Sequence, residues 1–100
     1  MPSLHVVIPC FNEAKTLRDC LRRVLEARLP EGWKSRVVII DDCSDQATAT
    51  VVDELSTEND RTIALRHEDN RGKGAAIRTG IKHTLNHADD EDVLVIQDAD

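Results

Sequence analysis

Apolar positions along this chain fall into two kinds of run. Four runs are short and largely apolar throughout, at residues 4–8, 36–40, 62–65 and 93–96, and Val and Ile dominate them. Runs without alternation suit strands buried on both faces, as in a parallel sheet. Between them lie three stretches with apolar residues at three-and-four spacing, the mark of a helix with one buried stripe. The first covers residues 13–28, with Leu17, Cys20, Leu21, Val24 and Leu25 on its stripe, Asn12 as its expected N-cap and Pro30 beyond its end. The second covers 45–57, with Ala47, Val51, Val52 and Leu55 inward and Ser44 or Asp45 as cap. The third covers 73–87, with Ile77, Ile81 and Leu85 as its stripe. Ala75, Ala76 and Gly80 in that third helix are small enough for close packing on a sheet.

Strand and helix therefore alternate as β-α-β-α-β-α-β. That order predicts an α/β fold: a Rossmann-like, three-layer α/β/α arrangement with right-handed crossovers and a mainly parallel sheet. Neither an internal repeat nor an interdomain linker interrupts it, so residues 1–100 read as one unit.

The polar residues that interrupt the pattern are concentrated. Pro9-Cys10-Phe11-Asn12-Glu13 follows the first strand, and Asp41-Asp42-Cys43-Ser44-Asp45 follows the second. Asn70-Arg71-Gly72-Lys73-Gly74 follows the third strand and opens the third helix, and Asp98-Ala99-Asp100 follows the fourth strand. Every cluster lies at the carboxyl end of a strand, the edge at which open α/β sheets bind ligands.

Composition narrows what that edge could bind. The formal charge is −6 and the aromatic residues are Phe11 and Trp33, so neither a phosphate-backbone footprint nor a set of base-stacking platforms for nucleic acid is present. Arg71, Lys73 and Arg78 still leave room for a small phosphate site. Cys10, Cys20 and Cys43 are odd in number and form no CxxC, which points to reduced thiols in a cytoplasmic setting. No signal-peptide pattern and no apolar run long enough for a bilayer is visible.

Each cluster has a plain structural reading beside its chemical one. Asp98 and Asp100, two apart on an extended segment, would point to one side. Carboxylates that close repel each other unless a cation or a proton sits between them, and Mg²⁺ or Mn²⁺ held by one or two carboxylates plus substrate phosphates meets that need. Solvated acids at a strand end are the alternative. Asp41 and Asp42 would build a turn and cap into the second helix, or Asp42 would accept from a nucleobase N–H. The 70–74 segment would be a glycine turn with exposed basic residues, or a phosphate loop at a helix N-terminus. It has neither the Walker spacing nor GxGxxG. Glu13 would favour a helix dipole or face a ligand. His5, His67, His83 and His87 show no metal-ligand spacing and are expected on the surface or in packing roles.

Taken together, Val7-Ile8-Pro9-Cys10-Phe11-Asn12-Glu13, Val38-Ile39-Ile40-Asp41-Asp42-Cys43-Ser44-Asp45, the segment from Asn70 to Gly80 and Gln97-Asp98-Ala99-Asp100 resemble family 2 inverting glycosyltransferases, and within them the branch that makes dolichyl- or polyprenyl-phosphate sugars. The resemblance runs in order along the whole chain. It implies the N-terminal half of a GT-A domain, truncated after its DxD. It also implies that Pro9, Phe11 and Glu13 line a base and ribose pocket, that Asp42 contacts the base with Ile40 beside it, and that Arg71 and Lys73 contact phosphate. By the same resemblance Asp98 and Asp100 hold the metal, and Ala99 contributes backbone contacts. The implied reaction moves a sugar with inversion from a nucleoside diphosphate sugar, UDP-sugars being favoured, to an acceptor such as a polyprenyl phosphate at the cytoplasmic face of a membrane. The acceptor half would lie beyond Asp100, which leaves the fragment a donor binder at most, with no catalytic residue within it. The rival readings are a non-catalytic nucleotide-sugar-binding module, a sugar-nucleotide pyrophosphorylase and a phospho-acceptor receiver domain. A pyrophosphorylase places a glycine-rich basic loop after its first strand, and a receiver places its acidic pair there.

Overall fold

The computed structural model describes residues 2–99. It contains β1 (Ser3–Cys10), α1 (Ala14–Glu26), β2 (Lys34–Asp41), α2 (Gln46–Glu58), β3 (Thr62–Arg66), α3 (Lys73–Leu85) and β4 (Val93–Ile96), in that order. The sheet order is β3-β2-β1-β4 and every pairing is parallel. The chain steps one way from β1 to β3, then returns to the other side of β1. With right-handed crossovers, that reversal of direction moves the connecting helix to the opposite face. Accordingly α1 and α2 cover one face and α3 the other, giving the expected three-layer α/β/α fold.

The pleat sorts the two cores. Val6, Ile8, Val37 and Ile39 point to the α1–α2 side, where Leu17, Leu21, Val52 and Leu55 meet them. Val7, Val38 and Ile40 point to the other side, against Ala76 of α3. β1 and β2 are thus the doubly buried strands that their continuous apolar runs predict. β4 differs: Val93, Val95 and Ile96 are each more than 40% exposed although the run is equally apolar.

Two helical stripes also differ from the periodicity. On α2 the buried positions are Thr48, Ala49, Val52 and Leu55, while Ala47 is exposed and Val51 half-buried. On α3 they are Ala76, Gly80 and Thr84, whereas Leu85 is 70% exposed. The cause on α3 is distance. A Cβ built on Gly80 would stand 2.3 Å from Cγ1 of Val7, so the helix rests on β1 through its smallest side chains. Ile77 and Ile81, on a flank of that contact, are half-buried. No helix among the described residues is long and apolar enough to cross a membrane.

Candidate functional site

The two central ladders run one hydrogen bond past the strands and fix the residues that follow. Asp42 N–H donates to the Cys10 carbonyl at 2.9 Å, and His67 N–H to the Asp41 carbonyl at 2.9 Å. The chain then turns sharply at Asn12 (φ 53°) and Cys43 (φ 62°). Asn tolerates the left-handed region better than most residues. Asn12 does not cap α1: the N-cap position is Glu13, whose side chain makes no cap bond. Asn12 instead joins two loops. Its N–H donates to Ser44 Oγ at 3.0 Å, and its Oδ1 accepts from Asp45 N–H at 2.7 Å. Asp45, rather than Ser44, caps α2, accepting from Thr48 N–H at 2.9 Å. Buried Asp41 closes the turn, accepting from Ser44 N–H at 2.9 Å with Arg66 3.5 Å away.

Asp42 anchors the third cluster. Its Oδ1 accepts from Arg71 N–H at 2.9 Å and pairs with His67 Nδ1 at 2.8 Å, and its Oδ2 accepts from Gly72 N–H at 2.8 Å. Burial pushes this carboxyl upward, but the donors from Arg71, His67 and Gly72 outweigh it and hold the group below the usual carboxylate range. Gly72 has φ 93°, a left-handed turn that a side chain would strain, and from it α3 begins. Lys73, the first helical residue, forms an ion pair with Asp98 beyond β4.

Pro9, Cys10, Phe11, Glu13, Asp42, Lys73, Asp98 and Ala99 line one cleft of about 110 Å³. It opens at the carboxyl edge, beside β1, where strand order reverses. Phe11 is 43% exposed at the rim, and Ala99 is buried in the wall. A complete small-molecule pocket is about 300–1,000 Å³, so this cleft has the size of one wall. A larger groove of about 520 Å³ lies at the opposite edge, lined by residues such as His5, Arg36, His83 and Asp92. We assign the site to the smaller cleft because strand ends, a helix N-terminus and facing charges converge there.

Seven of the nine candidate binding residues therefore meet in the cleft. Ile40 is fully buried against α3 and belongs to the core. The Arg71 guanidinium points to Asp69, with Nε at 3.1 Å from Oδ1, and only its backbone joins the network. Asp98 presents a 52% exposed carboxylate, while Asp100 lies outside the described residues. Among the described residues no three His, Cys, Asp or Glu side chains gather as a metal cage. A Mg²⁺ or Mn²⁺ site made of one or two carboxylates and substrate phosphates needs no such cage. Asp98 fits that donor set: it is a hard oxygen ligand at the cleft and already attracts a cation, the Lys73 ammonium. His67 is the residue that sequence reasoning missed. Its signal was position, one residue past a strand at the same edge as the other clusters.

Comparisons with known proteins bear on the family and on the fold. The sequence profile described as "Glycosyl transferase family 2" matches residues 5–100. Glycosyltransferase AglE of Haloferax volcanii is 31% identical over 84 residues, 84% of this chain and 27% of the relative. The poly-beta-1,6-N-acetyl-D-glucosamine synthase of Staphylococcus aureus is 33% identical over 102 residues, 99% of this chain and 24% of the relative. The chain thus spans about a quarter of the length of these curated relatives. Among solved structures, the mannosyltransferase PcManGT from Pyrobaculum calidifontis, in complex with GDP-Man and Mn²⁺, superposes with a TM-score of 0.78 at 26% identity, covering 97% of this chain and 27% of that one. S. aureus TarS 1-349 in complex with UDP gives 0.78 at 22% identity, covering 100% and 28%, a likeness of fold.

Proposed function

The chain belongs to glycosyl transferase family 2, and from that premise we propose that it forms the donor-binding wall of an inverting, divalent-metal-assisted transferase. The donor is a nucleoside diphosphate sugar, and the resemblance of the Lys73 loop to the lipid-phosphate glucosyl branch favours a UDP-sugar. The observation that carries this reading is the convergence of Phe11, Glu13, Asp42, Lys73 and Asp98 on one cleft beside the β1–β4 switch point. GDP-Man and Mn²⁺ in the mannosyltransferase PcManGT, at 26% identity, support the same class of ligand and ion.

The roles follow from the chemistry of each group. Pro9, Phe11 and Glu13 flank the base and ribose, Phe11 offering an exposed ring face and Glu13 an acceptor for hydroxyls. Asp42 already accepts three hydrogen bonds, two of them on Oδ1. A carboxylate has about four acceptor positions, so Oδ2 keeps one for a base N–H. Lys73, at the N-terminus of α3, supplies positive charge for the diphosphate, and the helix end adds its dipole. Arg71 reaches phosphate by turning its exposed side chain from Asp69, and Ala99 contributes its backbone. Asp98 and Asp100 would hold Mg²⁺ or Mn²⁺. When bound, that ion neutralises charge on the departing diphosphate.

A hydroxyl acceptor requires a general base, and an ionised phosphate acceptor does not. We place the acceptor wall, and any base, in chain outside residues 1–100, because this chain spans about a quarter of its relatives. A polyprenyl phosphate at the cytoplasmic face of a membrane is the acceptor we favour. The test is a transfer assay on the full protein containing this chain, with UDP-glucose and GDP-mannose offered separately against polyprenyl phosphate and Mn²⁺. Transfer from UDP-glucose with inverted anomeric configuration, read by NMR, is expected. A folded protein that transfers from neither donor, to lipid phosphate or to a glycan, overturns the proposal.

A further inference from the structure

We infer that His67 is a positioning residue: it holds the Asp42 carboxylate and, through it, the entrance of α3 that presents Lys73 to the cleft. The relevance to the donor rests on the reading above, whereas the anchoring itself rests on geometry alone. His67 is buried one residue beyond β3, and both ring nitrogens are engaged. Nδ1 stands 2.8 Å from Asp42 Oδ1, and Nε2 stands 2.8 Å from Thr79 Oγ1.

The protons on this network can be counted. Asp42 is held below the usual carboxylate range and accepts only, so Nδ1 carries the hydrogen toward it. Thr79 has one hydroxyl hydrogen and two neighbours, His67 Nε2 and the Ala75 carbonyl at 3.0 Å. With the ring hydrogen on Nδ1, Nε2 accepts when that hydroxyl turns to it. The ring therefore joins three separate pieces of chain. The strand edge holds its backbone, Thr79 on the second turn of α3 holds one nitrogen, and Asp42 after β2 holds the other. The same Asp42 oxygens take the N–H groups of Arg71 and Gly72, which immediately precede Lys73. Any buried imidazole needs a partner for each of its two ring nitrogens. Here the two partners lie on either side of the loop whose conformation matters.

Two conservative variants separate the functions of the two nitrogens. Asn places its amide where Nδ1 was, and Gln places its amide where Nε2 was. His67→Asn therefore keeps the donor to Asp42 and loses Thr79, whereas His67→Gln keeps Thr79 and loses Asp42. Each loses one bond, so a purely structural role predicts similar behaviour of both. The first readout, on the full protein without nucleotide, is amide hydrogen exchange at Arg71 and Gly72. We expect His67→Gln to speed exchange by on the order of tenfold, the scale of losing a hydrogen bond to a charged group, and His67→Asn to remain within about threefold of the native rate. The second readout is titration with UDP and with GDP in the presence of Mn²⁺, where the same ranking of affinities is expected. Equal exchange rates in the two variants, at matched thermal stability, overturn the inference. If exchange follows the expected ranking but the native protein binds neither nucleotide, the anchoring stands and the donor reading falls.

Discussion

Asp42 at the carboxyl edge of the sheet and Asp92 at its amino edge each bond to one histidine ring and two backbone N–H groups. Asp42 takes His67, Arg71 N–H and Gly72 N–H. Asp92 takes His5 at 2.7 Å, Ser3 N–H at 2.8 Å and Asp89 N–H at 3.0 Å. The device is the same and its consequences differ by location. At the carboxyl edge the N–H groups belong to the opening of α3, and Lys73, Asp98 and Phe11 share the cleft. At the amino edge Asp92 ties the start of β1 to the turn before β4, and the end of α3 that arrives there is its carbonyl end. The larger concavity is at the amino edge, and the cleft proposed as the donor site is at the other. Carboxylates held by a histidine and two backbone N–H groups therefore mark structure as readily as function, and the polarity of a parallel sheet distinguishes them.

The largest expected effect removes what both edges share. Gly80→Val forces a side chain into Val7 and should cost about 3 kcal/mol or more in urea unfolding of the full protein. Both edges should suffer, since α3 delivers the Lys73 loop to one and His83 to the other. Next, Asp98→Asn should weaken Mn²⁺-dependent nucleotide binding by on the order of tenfold or more, the scale of one charge-assisted contact. Asp92→Asn should leave binding within about twofold while lowering the melting temperature. A nucleotide affinity that responds to Asp92 as strongly as to Asp98 would break the contrast between the edges.

Acid should weaken both anchors. The donors to Asp92, His5 foremost, hold its carboxyl down to about 2, against 3.8 for an ordinary aspartate. A carboxyl depressed in the folded state contributes stability that is complete above 3.8 and is lost as pH falls toward about 2. Asp42 is shifted in the same direction. Stability measured through that range should fall less steeply in Asp92→Asn than in the native protein. The smallest effect is at Cys10, which lines the cleft but is buried; burial, with Asp41 nearby, pushes its thiol up to about 12. Iodoacetamide at pH 8 should leave Cys10 unlabelled by mass spectrometry in the folded protein and label it after unfolding.

Much of this was legible in the residues. The run at 93–96 predicts β4 to the residue, and the four polar clusters after strands predict a shared edge because parallel strands end on one side. Where the prediction departs, hydrophobicity and proximity diverge. Periodicity selects Ile77, Ile81 and Leu85 as the inward stripe of α3, but contact with Val7 selects Ala76, Gly80 and Thr84, since close approach favours small groups. The loop interior was harder still. Asn12 has the composition of a cap, yet its bonds run to Ser44 and Asp45, 32 and 33 residues away. His67 has no motif, and its partners Asp42 and Thr79 come together only when β2, β3 and α3 are in place. Ile40 and Arg71 belong to matching motifs, but the pleat turns Ile40 into the core and Asp69 draws the Arg71 side chain aside.

The most direct test is calorimetric titration of UDP and of GDP into the full protein, with Mn²⁺ and then with chelator, beside an Asp98→Ala, Asp100→Ala variant shown to be folded. One nucleotide, UDP by this account, should bind in the presence of Mn²⁺ and lose that binding in chelator and in the variant. A folded native protein that binds neither nucleotide, or binds one equally well without Asp98 and Asp100, would contradict the assignment of a donor site to the carboxyl edge.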